Sequence, residues 1–142
     1  MSTDDHAKAL TRGVLEALDD SGLVLAVHHT EYKLHLAPAV APDRLSAHVG
    51  GPIKGTIHAR ALRMHATRGG GQFIEPVWGA PRIVAGRVRT VDGTARRVLV
   101  DATVPMWVEA PKGQDLDAIR EGDLLNFYVE SGTRFEPANG AR

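Results

Sequence analysis

The chain has 142 residues, 43% hydrophobic and 24% charged, the size and balance of one globular domain or at most two very small ones. Seventeen basic residues offset seventeen acidic ones, which excludes a histone-like polycation and an acidic disordered tail. Cysteine is absent, so disulfide frameworks, thiolate metal sites and cysteine nucleophiles are excluded as well.

No stretch reaches the roughly 18 consecutive apolar residues of a membrane helix. Residues 1–22 are net acidic and carry no basic segment ahead of an apolar one, so no secretory signal is expected. The expectation is a soluble cytoplasmic protein with no membrane partner.

Residues 1–22 read as an amphipathic helix. Ala7, Leu10, Val14 and Leu18 recur at three- and four-residue spacing, and Leu15 widens the stripe. Ser2, Thr3 or Asp4 would cap its start, and Ser21-Gly22 would stop it. Gly13 weakens that helix by about 1 kcal/mol relative to Ala.

From Leu23 onward the apolar period falls to two. Leu23, Leu25 and Val27, then Tyr32, Leu34 and Leu36, form a hairpin around His29-Thr30-Glu31. Ile53, Ile57, Ala59 and Ala61 alternate with Lys54, His58 and Arg60, and Gly69-Gly70-Gly71 makes a turn. Val84 and Val88 alternate with Arg87 and Arg89. Asp92-Gly93 signals a second hairpin, into Val98, Val100 and Ala102. Pro105 interrupts, and Met106, Val108 and Ala110 resume. A short helical turn falls near Asp115 to Arg120. Leu125, Phe127 and Val129 form the last strong strand.

Features recur in order between residues 23–76 and 98–137. Each stretch has an apolar strand, a second strand ending near Pro, a polar connection, a Gly before the next strand, and a closing signature. The closing signatures are Phe73-Ile74-Glu75-Pro76 and Phe135-Glu136-Pro137. The first copy lacks an opening strand, and the N-terminal helix stands in its place. The strand order over Ile83 to Pro137, with its helical turn at Leu116 to Ile119, resembles an OB-fold, a small partly open Greek-key barrel. The resemblance implies a mainly β fold: an N-terminal α-helix followed by two small OB-like antiparallel modules packed together through a shared core. The expected boundaries are 1–22, 23–76 and 77–142.

Zero net charge conceals a basic middle. Residues 54–97 carry nine basic and two acidic side chains, whereas 1–22 and 98–142 are acidic. Arg60, Arg63, Arg68, Arg87 and Arg89 are candidates for a phosphate-binding sheet face, as the OB resemblance implies for single-stranded nucleic acid. Aromatics are only 5%, and none interleaves with Arg87 and Arg89. The competing reading is a solvated face that keeps sheet edges apart.

Residues 73–82 form a rigid loop with two Pro, one Gly and two aromatics. Trp78 would anchor a protein or self-association contact there, with Arg82 as its polar partner. Alternatively, Phe73 and Trp78 plug module ends. His28, His35 and His58 show no zinc-ligand spacing, and no metal or cofactor is expected. Glu75 and Glu136, or Ser46 with His48, form no recognisable catalytic order, and no phosphate-binding loop occurs. The favoured expectation is a non-enzymatic binding or assembly module. Single-stranded nucleic-acid binding is the alternative.

Overall fold

A computed structural model describes residues 8–138. The chain is mainly β, and the described residues form eleven strands in one sheet. They are β1 (Leu10–Asp19), β2 (Gly22–Val27), β3 (Lys33–Pro38), β4 (Pro52–Thr67), β5 (Phe73–Glu75), β6 (Trp78–Gly79), β7 (Ile83–Asp92), β8 (Arg97–Asp101), β9 (Pro105–Glu109), β10 (Leu124–Val129) and β11 (Arg134–Pro137). Short 3-10 turns at Pro42–Arg44, Ser46–His48 and Leu116–Ala118 join them.

The N-terminal helix is overturned: Leu10–Asp19 is a strand. Thr11, Gly13 and Leu15 are buried while Arg12 and Glu16 are exposed, a period of two. Leu10, Val14 and Leu18 of the helical stripe are only partly buried. Gly13, a poor helix residue, is required by the sheet, because a Cβ there would overlap the Ala26 carbonyl oxygen. Ser21-Gly22 closes a hairpin instead of a helix. Asp19 Oδ1 accepts from the Ser21 amide and hydroxyl, and Gly22 takes φ +138°. Ala7 and the capping residues Ser2, Thr3 and Asp4 lie outside the described residues.

β1 also supplies the opening strand that the first repeat lacked. β1-β2-β3 and β7-β8-β9 are both antiparallel meanders. In each case a 3-10 segment and a further long segment follow, β4 after the first and β10–β11 after the second. The Phe-Glu-Pro signatures do not correspond in pairing. β5 pairs β7, whereas β11 pairs β3 and β4.

The strands of the two expected modules join in one sheet. Neighbours follow the order β1-β2-β3-β11-β4-β10-β7-β8-β9, and β4 pairs additionally with β1 and β9. β11 runs parallel to β3, and β4 runs parallel to β9, so each long segment reaches across to the other meander. Along β4 the partners are β1, then β11 and β9, then β10. One core joins the two halves: Leu15, Leu25 and Leu34 share it with Val84, Val98 and Met106, and with Ile57 and Phe135 on the crossing strands. A smaller cluster of Ala9, Leu99 and Trp107 lies apart from it.

Candidate functional site

The arginines singled out from the sequence divide into two groups. Arg60 on β4 stands opposite Glu109 on β9, and its Nε lies 3.0 Å from the carboxylate. Arg89 donates to Asp101 at 2.7 Å, and Arg87 donates to the Gly122 carbonyl at 2.6 Å. These three guanidinium groups are held by the chain itself. Arg63, Arg68 and Arg82 are exposed, and among the described residues none has a carboxylate within ion-pair distance.

A bulge sets the direction of Arg63. β4 carries one extra residue, Leu62, where Tyr128 pairs Arg63 and Val129 pairs Ala61. The bulge breaks strict alternation: Arg60, Leu62 and Arg63 are all exposed while Ala61 and Met64 stay buried. Tyr128 stands directly opposite Arg63 and is 60% exposed. Tyr128 did not stand out in the sequence. The alternation of Leu125, Phe127 and Val129 inward is the signal that puts it outward.

The loop over 73–82 folds as two short strands around a turn closed by the Arg82 amide donating to the Glu75 carbonyl. β6 lies parallel to β3, with Trp78 opposite Lys33. The indole is not a plug: Trp78 is 68% exposed. Its Nε1 donates to the Glu31 carbonyl at 3.0 Å, and the Lys33 ammonium sits 5.5 Å from the ring centroid. Lys33 also reaches Glu16 at 3.3 Å. The cation at Trp78 is thus Lys33 from the first hairpin, while Arg82 serves through its backbone, accepting from the Val129 amide. Beneath the loop, the Tyr32 hydroxyl accepts from the Ile74 amide at 2.9 Å. A groove of about 410 Å³ opens beside the indole, lined by Ala26, Thr30, Tyr32, Lys33, Val77 and Trp78.

The histidines are dispersed. His35 is exposed on β3, and His28 and His29 touch edge to face with ring centroids 6.1 Å apart. His58 bonds Glu136 at 3.0 Å between β4 and β11. Burial pushes the His58 imidazole below its ordinary value, and the Glu136 contact opposes that shift in part. Among the described residues no three His, Cys, Asp or Glu side chains gather as a metal site, and no helix is long and apolar enough to cross a membrane. Compared with family models, with curated proteins and with solved structures, the chain matches none of them.

Proposed function

We propose that this chain is a non-enzymatic assembly module whose contact is the Trp78 edge, and that the partner is a second copy of the chain. The observation that carries this reading is a large aromatic left two-thirds exposed yet pinned by a hydrogen bond to Glu31. Such a ring has lost its rotamer freedom before any partner arrives, so little ordering cost remains at association. Trp is also the residue type that most often dominates a contact energetically.

The surroundings fit a protein surface. Val77 is exposed beside Trp78, and the groove along Tyr32 offers an apolar recess next to the protruding indole. A protrusion beside a recess is self-complementary across a two-fold axis. Glu31 and Lys33 place opposite charges on the same edge, so an isologous contact sets each against its opposite in the other copy.

Sedimentation velocity over a rising concentration series tests the reading. The wild type is expected to shift toward a dimer, and Trp78→Ala to stay monomeric with unchanged circular dichroism. A wild type and a variant that sediment alike as monomers at every concentration would refute it.

A further inference from the structure

We infer that the outward face of β4, β10 and β7 is a second and separate binding surface, for a short tract of single-stranded nucleic acid. Strand register assembles it. Directly paired residues share a face, and successive outward rows lie two residues apart. The first row is Arg63, Tyr128 and Ile83. The second is His65, Asn126 and Ala85, with Phe73 of β5 beyond. The third is Thr67, Leu124 and Arg87. Ala85 and Leu124 are buried, so the exposed part of the face is Arg63, Tyr128, His65, Asn126, Thr67 and Arg87.

Three kinds of group that such a ligand needs meet here. Tyr128 supplies an exposed ring on which a base can stack, and Phe73 adds a partly exposed ring on the second row. Arg63 supplies a guanidinium, while Arg60, Arg89 and Arg97 elsewhere on the sheet each lie against a carboxylate. Asn126 supplies an amide that both donates and accepts, between His65 and Ala85. Two carboxylates border these rows among the described residues: Glu75 on β5 beyond Ile83, two strands from Tyr128, and Asp101 on β8 opposite Arg87, which Arg89 holds. Arg63 is the guanidinium of these rows that lies beside Tyr128 with no carboxylate within ion-pair distance among the described residues.

From Arg63 to Thr67 the surface runs about 13 Å along the strand, room for a few nucleotides. A duplex presents phosphates but no free base faces, so Tyr128 would have nothing to stack on. This inference does not rest on the Trp78 contact, because the two surfaces share no residue.

The test is fluorescence polarisation with labelled oligo-dT and oligo-rU at about 50 and 200 mM salt, with unlabelled duplex DNA as competitor. The expected result is single-strand binding that weakens about tenfold between the two salts, as two or three neutralised phosphates require. Tyr128→Ala is expected to weaken it about fivefold or more, while Tyr128→Phe retains it. Arg63→Glu should weaken it and flatten the salt dependence, and Trp78→Ala should leave it unchanged. Arg63 is exposed, so its variant carries the test if Tyr128→Ala fails to fold. The preferred oligonucleotide tells ribose from deoxyribose. No binding at 50 mM salt overturns the inference, as does binding indifferent to both variants or equal competition by duplex. Loss of self-association in these variants without oligonucleotide binding would make the face a protein contact and also overturn it.

Discussion

Gly55 lies under the ring of Phe135 where β11 crosses onto β4. A Cβ at Gly55 would overlap the Glu136 carbonyl oxygen and run into the Phe135 ring. Phe135 is fully buried and pairs with Ile57, one row along the same buried face from Gly55 opposite Pro137. This close approach binds β11 to β4. Both the ring and the missing side chain are needed for it.

Gly55→Ala is therefore expected to destabilise by about 3 kcal/mol, because the obstacle is backbone as well as ring. Phe135→Ala is expected to cost about 3–5 kcal/mol through the cavity it leaves. Urea denaturation midpoints measure both. A Gly55→Ala midpoint equal to wild type would mean that β11 can lift from β4 at no cost.

His58 gives the stability a pH dependence. Its side chain is 19% exposed, and burial lowers its affinity for a proton, with Arg134 and Arg97 adding to that effect. The folded protein thus binds fewer protons than the unfolded chain just below pH 6.5. The stability this contributes is complete above about pH 6.5 and is lost as pH falls through the lower folded value. Wild type is expected to lose more stability than His58→Gln between pH 7 and 5, measured by thermal melts at matched ionic strength. Identical slopes would contradict the burial account.

The exposed pair of Arg60 with Glu109 is expected to matter little. Both side chains are largely solvated, and such pairs contribute about 0.2–1 kcal/mol at most. Arg60→Gln should leave the melting temperature nearly unchanged and should lose its small effect in high salt. Double-mutant cycles with Glu109→Gln measure the coupling. A coupling of several kcal/mol would show that the pair is a structural tie across the parallel β4–β9 join.

Most strands were legible because Gly, Pro and polar pairs interrupt clean alternation, as in Leu23 to Leu36 and Val84 to Ala110. β1 was not, because Leu10, Val14, Leu15 and Leu18 satisfy a helical period as well as a strand period. Burial of Thr11 and Gly13 decides between them, and neither is marked by hydrophobicity. The crossing of β4 and β11 between meanders was hidden for another reason. The parallel pairings of β3 with β11 and β4 with β9 join segments far apart in sequence, and no local pattern encodes them. At the site, Trp78 stood out through its Pro- and Gly-rich loop. Lys33 did not, since its position over the indole depends on the β3–β6 pairing. The basic stretch was plain, but which of its arginines find partners is set by register: Arg60 meets Glu109, and Arg63 meets Tyr128.

The assembly reading states that the Trp78 ring becomes covered when two copies meet. Acrylamide quenching of tryptophan fluorescence measures that coverage directly. The chain has two Trp residues, and Trp107 is only 3% exposed, so the quenchable emission belongs to Trp78. Quenching is predicted to fall as protein concentration rises, in step with dimer formation. Quenching that stays constant while the protein dimerises would show that the contact lies elsewhere and would contradict the account.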